Sequence, residues 1–161
     1  TLEDGVIELD VGSPALARTL HIGPASDEAH DPAAELAWRQ SDLRLGLPRL
    51  VEAQRETWTP QQLGLDRLAA YSVKKGCYPG QEIVARTHFL GKAKRSVALL
   101  DCVAAANAGD AVQHADSTIG SVASTAGNLA LAVLPLDLPE GPLQVNGAIA
   151  RVEPLLDGLA R

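Results

Sequence analysis

The stretch Lys94-Arg95-Ser96-Val97-Ala98-Leu99-Leu100-Asp101-Cys102-Val103 reads as a β-strand. Ala98, Leu100 and Cys102 alternate onto one face, so Cys102 is expected in a core rather than in a site. Further strands are expected at 111–114, 118–124, 129–134 and 144–152. Gly109-Asp110, Asp116, Gly127-Asn128, Pro139-Glu140-Gly141-Pro142 and Asn146-Gly147 punctuate this region. Five or six short strands at such spacing predict a small closed or sandwiched antiparallel β domain. The texture changes at Leu90-Gly91, and the domain boundary is expected there.

Upstream, residues 5–10 and 18–22 read as short strands separated by Gly12-Ser13-Pro14. Asp31-Pro32 combines an acidic cap with proline at the first helical position. A helix is therefore expected over 33–45, ending near Gly46 with Pro48 beyond it. Thr59-Pro60 repeats the signal before a short helical turn, and Leu65, Leu68 and Ala69 make a second short apolar helical stripe. Residues 72–80 form a loop with two glycines, and Pro79 introduces a helix over about 80–89. The fold class is α+β.

The chain has 161 residues, 46% of them hydrophobic and 21% charged, which is the composition of a globular protein with a real core. No apolar run reaches about 18 residues, so no membrane span is expected. Two cysteines exclude a disulfide scaffold, and with four histidines they exclude a Cys-rich zinc site; no metal is expected. The opening Thr1-Leu2-Glu3-Asp4 has no signal-peptide character, so a cytoplasmic location is expected. Met is absent even at position 1, which suggests a processed chain or a piece of a longer one.

The net charge of −6 is patterned. Residues 1–60 hold 11 acids and 5 bases, and residues 101–161 hold 7 acids and 2 bases. Between them, residues 61–100 hold 2 acids and 7 bases: Arg67, Lys74, Lys75, Arg86, Lys92, Lys94 and Arg95. Such an island either focuses an anionic ligand or is consumed in ion pairs with its flanks. The acidic pI near 5.1 and 3% aromatic content argue against direct nucleic-acid binding.

The unusual segment is Lys75-Gly76-Cys77-Tyr78-Pro79-Gly80-Gln81-Glu82. Two glycines permit close approach of a ligand, and neighbouring lysines with a helix start favour thiolate at Cys77. The alternative is that Cys77 is a small buried hydrophobe and the glycines merely make a turn. Glu82 and Arg86 share a helix face at i, i+4, either as an ion pair or as ligand contacts. His88 lies near the segment but, like His21, His30 and His114, has no catalytic partner in sequence. Asp4, Glu8 and Asp10 alternate along a strand and read as a solvated face.

These residues carry a resemblance. The octapeptide matches the Lys-Gly-Cys-Tyr-x-Gly-Gln-Glu signature of the YgfZ-type folate-binding proteins, members of the aminomethyltransferase (glycine-cleavage T-protein) superfamily. The following Ile83-Val84-Ala85-Arg86-Thr87-His88-Phe89 and Gly91-Lys92-Ala93-Lys94-Arg95 resemble the family's next segment, and the likeness covers roughly residues 36–155. Two departures stand out. Arg44, in Leu43-Arg44-Leu45-Gly46, occupies the place of a family carboxylate that could hydrogen-bond a pterin. Family members are also about twice as long.

The resemblance implies that residues 1–90 are part of a middle αβ domain carrying the motif, and that 91–161 are a C-terminal β-barrel domain. It implies a folate-binding accessory protein that supports iron–sulfur cluster assembly or repair and, through it, tRNA modification. Cys77 carries over as the functional residue. Lys75, Gly76, Tyr78, Gly80, Gln81, Glu82 and Arg86 carry over as its binding frame. Tetrahydrofolate, with or without a polyglutamate tail, is the implied cofactor, and iron–sulfur enzymes or assembly proteins are the implied partners. Two other functions stay open: an aminomethyltransferase passing a one-carbon unit to tetrahydrofolate, and a non-catalytic binding module.

Overall fold

The computed structural model describes residues 5–24, 29–74, 76–77, 79–91 and 93–157. The chain opens with a two-stranded antiparallel sheet, β1 (Ile7–Asp10) and β2 (Thr19–Ile22). Helix α1 (Pro32–Arg44) follows, and helix α2 (Gln81–Leu90) comes after a long run of turns. Six strands complete the chain: β3 (Arg95–Cys102), β4 (Ala111–His114), β5 (Ser117–Ala126), β6 (Leu129–Pro135), β7 (Leu143–Val145) and β8 (Ala148–Glu153). They close into an antiparallel barrel in the order β3-β6-β5-β4-β7-β8. The α+β class and the small barrel match the expectation.

The pleat explains how the barrel is filled. Leu100, Cys102, Val122, Ala130, Ala132 and Leu134 pack inward with Val112, Leu143 and Val145. The alternate residues of the same strands, Val97, Leu99, Leu129, Leu131 and Val133, face outward and are nevertheless buried. All of β6 from Leu129 to Leu134 is buried. A strand covered on both faces reads as a continuous apolar run instead of an alternation. The covers are α1, which brings Leu43 onto Leu99 and Leu131, and the 58–65 segment, which brings Leu63 and Trp58 onto Ala123 and Val133.

Two details of the barrel differ from the expected elements. The expected strand at 144–152 is a hairpin, because Asn146 (φ 53°) and Gly147 (φ 75°) turn the chain between β7 and β8. Both positions need positive φ, which Asn-Gly supplies at low cost. Gly120 sits where β5 presses on β6: a Cβ there would lie 2.2 Å from the Val133 carbonyl oxygen.

Helix α1 begins and ends as its sequence predicts. The Asp31 carboxylate accepts from the Ala33 and Ala34 amides at 2.9 and 3.2 Å. At the other end Gly46 N–H donates to Leu43 O and Leu47 N–H to Asp42 O, with Gly46 at φ 75°. That pairing is a Schellman closure, which satisfies the last carbonyls. The expected helical stripe at 65–69 is instead a succession of turns. One helical turn forms, with Leu63 N–H on Thr59 O, and Gly64 at φ 68° ends it. A Cβ on Gly64 would lie 2.8 Å from Val97 Cγ1, so the chain bends there to seat against the barrel.

Polar anchors add to the apolar cover. Gln54 Nε2 donates to Val122 O at 3.0 Å, and Arg49 N–H to Ser124 Oγ at 3.1 Å. Arg67 donates to the carbonyls of Leu45 and Leu156. No helix among the described residues is long and apolar enough to cross a membrane.

Candidate functional site

The described residues of the 72–80 segment, 72–74, 76–77 and 79–80, form no helix or strand and precede α2. The loop is set at its start by Lys74 N–H donating to Ser72 Oγ at 3.2 Å. Gly76 and Cys77 are exposed, and Cys77 is a free thiol. Pro79 and Gly80 make the turn into the helix, with Gly80 at φ 83° and its carbonyl accepting from Val84 N–H at 3.3 Å. That left-handed position favours glycine. The signature glycine at 80 therefore has a backbone task, whereas Gly76 is exposed with open space around it. Lys75 and Tyr78 lie outside the described residues.

Helix α2 is held chiefly by Val84, its buried residue. Gln61 Nε2 adds a hydrogen bond to Val84 O at 2.9 Å. Glu82 and Arg86 pair with each other at 2.8 Å on the exposed face, so the ion-pair alternative is the one formed. Gln81 is half-buried at the first helical position. His88 is exposed and stacks edge-on against Phe89, with 4.9 Å between ring centroids.

The basic island is partly consumed. Arg67 is spent on backbone carbonyls, with Asp157 3.5 Å away, and Arg86 is paired with Glu82. Arg95 donates to the Ile119 carbonyl. Lys74 and Lys94 remain exposed, and Lys92, with Lys75, lies outside the described residues. The expected focusing of an anion by seven bases is therefore reduced to fewer side chains.

Two cavities flank the loop. One, about 610 Å³, is walled by Ser72, Val73 and Lys74 on one side and by Thr87, His88 and Arg95 on the other. The second, about 590 Å³, is more apolar and includes Trp58, Pro60, Leu65, Pro79, Gly80 and Ile83. Tyr71 borders both. The stems of the Cys77 loop thus line the cavities, while Cys77 itself stands outside both linings. Cys102 is the opposite kind of thiol. It is 5% exposed in the barrel core, and burial, followed by the nearby Asp101 charge, raises its pKa.

Sequence reasoning missed a second polar cluster. Asp42 is buried in the last turn of α1 and receives Arg18 at 2.6 Å and Arg49 at 2.8 Å. The Arg18 guanidinium also lies 4.0 Å from the Trp38 ring centroid. This cluster clips the β1–β2 hairpin to α1. The signal available was an aspartate at a helix C-terminus, where the helix dipole disfavours negative charge. Arg44, one turn-end residue later, is exposed. Among the described residues no group of three His, Cys, Asp or Glu side chains is gathered for a metal.

No family model matches the chain. Curated relatives do. The tRNA-modifying protein YgfZ of Aliivibrio fischeri strain MJ11 is 36% identical over 117 residues, covering 66% of this chain and 37% of the relative. Its counterpart in strain ATCC 700601 / ES114 is 35% identical over 117 residues, with the same shares. The chain therefore spans little more than a third of the length of the curated relatives it matches. On that identity, and on the octapeptide that carries the exposed Cys77, the chain belongs to the YgfZ-type proteins.

Proposed function

We propose that this chain contributes the thiol-bearing part of a folate-linked accessory protein that supports iron–sulfur enzymes and, through them, tRNA modification. The observation that carries the reading is the exposed Cys77 in a loop bounded by Lys74 and the Gly80 turn, on a chain whose relatives are named for tRNA modification. Cys77 is the functional residue. Lys75, Gly76, Tyr78, Gly80, Gln81, Glu82 and Arg86 form its frame, with Arg86 acting through its pair with Glu82. Tetrahydrofolate is the cofactor. Residues 1–90 belong to a middle domain and 91–161 to a barrel domain, working in the cytoplasm.

The chemistry available is that of one accessible sulfur. A thiolate is the nucleophilic and metal-binding form of cysteine, and exposure makes it reachable. An iron–sulfur cluster takes about four ligands, so this one sulfur does not hold a cluster without ligands from a partner or a second chain.

The test is complementation. A bacterium lacking its own YgfZ relative is supplied with this protein, and methylthiolated tRNA is measured. Restoration by the unaltered protein but not by Cys77→Ser, at equal protein levels, is expected. Full restoration by Cys77→Ser, or none by the unaltered protein, overturns the reading. An assay for methylenetetrahydrofolate made from an aminomethyl carrier is expected to show no turnover; turnover would assign the chain to the aminomethyltransferases.

A further inference from the structure

The turn between β7 and β8 carries a chemistry that neither the thiol loop nor the barrel core explains. The chain has three asparagines, Asn107, Asn128 and Asn146, and only Asn146 precedes a glycine. Asparagine is a thermolabile residue, and a following glycine, having no Cβ, leaves the backbone nitrogen free to attack the asparagine side chain. Asn146 and Gly147 are both exposed, and a Cβ on Gly147 would meet open space, so the glycine is open to solvent. The Asn146 side chain, by contrast, is held. Its Nδ2 donates to Asp110 Oδ2 at 2.7 Å and to the Ala105 carbonyl at 3.0 Å. Both hydrogens of the amide are thereby used. The same Asp110 oxygen accepts from the Asn107 N–H at 2.7 Å, and the Asp110 carbonyl accepts from Val122 N–H of β5 at 2.8 Å. One carboxylate thus gathers the connection between β3 and β4 onto the β7–β8 turn. At three residues β7 is the shortest strand of the barrel, so the tie braces the strand with the least pairing of its own.

We propose that Asn146 is a self-modifying lock on the barrel: it is the position at which this chain deamidates spontaneously, its bond to Asp110 sets the pace, and the product loosens β7. The reaction needs only water. Solvent hydroxide takes the Gly147 amide proton, and the nitrogen attacks Asn146 Cγ. The Cγ–Nδ2 bond breaks, and ammonia, protonated by water, leaves behind a succinimide ring. A second water opens the ring at either carbonyl, giving aspartate or isoaspartate. Nothing is oxidised or reduced. Asp110 slows the first half in two ways. Departure of Nδ2 as ammonia gives up both of its hydrogen bonds, one of them to a charged acceptor, the stronger kind. The carboxylate also opposes the negative charge that develops on the attacked amide. Once the reaction is complete, the same aspartate works in reverse. A carboxylate at 146 has no hydrogen to donate, and it faces the Asp110 carboxylate where the hydrogen bond had been, so like charges repel. The turn itself accepts aspartate, because Asp-Gly suits positive φ at both positions as Asn-Gly does. The loss therefore falls on the tie and on β7. Isoaspartate adds a methylene to the backbone and strains the turn as well.

The experiment incubates the purified protein in mildly alkaline buffer at body temperature. The peptide carrying Asn146 is followed by mass spectrometry, with enzymatic methylation of isoaspartate as a second readout. Deamidation is expected at Asn146 ahead of Asn107 and Asn128. Asp110→Ala is expected to speed it about tenfold, the worth of one hydrogen bond to a charged group. Should that variant fail to fold, Asp110→Asn, which keeps the side chain's shape, is expected to speed it several-fold. Asn146→Asp, the product made directly, is expected to melt about 5 °C below the natural protein. In that variant hydrogen exchange is expected to quicken in β7 while β3 and β6 stay protected. Adding Asp110→Asn to Asn146→Asp is expected to return much of the lost melting temperature. The proposal is overturned by an Asn146 modified no faster than Asn107 or Asn128, by a rate that the Asp110 variants leave unchanged, or by an Asn146→Asp protein that melts with the natural one. These readouts use neither the thiol nor tRNA, so they separate failure of this lock from failure of the proposed function.

Discussion

The barrel and the segment before it are stabilised in different ways. From β3 to β8 the chain encloses a core of its own, in which Leu100, Val112, Val122, Ala130 and Ala132 are fully buried. Among the described residues from 5 to 91 the buried apolar side chains are Leu43, Leu45, Leu63 and Val84, and Leu43 and Leu63 are buried against the barrel's outer face. The β1–β2 hairpin leaves Ile7, Leu9, Leu20 and Ile22 exposed, each at 39% or more. A lone two-stranded sheet is marginal by itself. The barrel is thus a platform, and the thiol loop is mounted on a layer that borrows its stability from that platform. Such low-stability layers are where moving and ligand-binding parts are found.

Mutations can break this contrast. The largest effect is expected at the barrel centre: Leu100→Ala, at a fully buried site, should cost about 4 kcal/mol of global stability in urea unfolding, by cavity formation. A loss below about 1 kcal/mol would mean that the barrel is not the platform. Next comes Asp42→Ala, which leaves the buried Arg18 without its carboxylate and should cost about 3 kcal/mol. Limited proteolysis is the better reading here, because cleavage should begin within the hairpin and leave the barrel whole. Simultaneous loss of both would mean that the two layers unfold as one unit.

A smaller effect is tied to pH. Burial, with help from Asp101, raises the Cys102 thiol, so the folded state keeps its proton where the unfolded chain has lost it. Stability is therefore full below the ordinary thiol pKa of about 8.5 and declines as pH rises from there toward the raised folded value. Urea midpoints between pH 7 and 10 should fall more steeply for the natural protein than for Cys102→Ala. The smallest effect is expected at the site helix. Glu82→Gln breaks an exposed i, i+4 pair and should cost no more than about 0.5 kcal/mol, with the melting temperature nearly unchanged. A large loss would make that pair a structural support of α2.

Much of the fold was readable along the chain because its signals are local. Strand alternation put Cys102 inward, Asp31-Pro32 started α1, Gly46 stopped it, and Pro79 announced α2. The octapeptide singled out Cys77, an exposed thiol, for the same reason, being a contiguous stretch. Local order also explains where the reading failed: the 65–69 stripe has helical spacing, yet Gly64 bends the chain to meet Val97, a residue distant in sequence.

Barrel closure, the burial of β6 on both faces, the Arg18–Asp42–Arg49 clip and the two cavities all needed three dimensions. Each joins side chains that are far apart in the chain, such as Gln61 with Val84 or Leu43 with Leu131. Their energies arise from desolvation and from hydrogen-bond partners brought together at folding, and neither is encoded in the spacing of neighbouring residues. Adjacent residues settled which sulfur is presented to solvent in this YgfZ-type chain; distant ones settled what surrounds it.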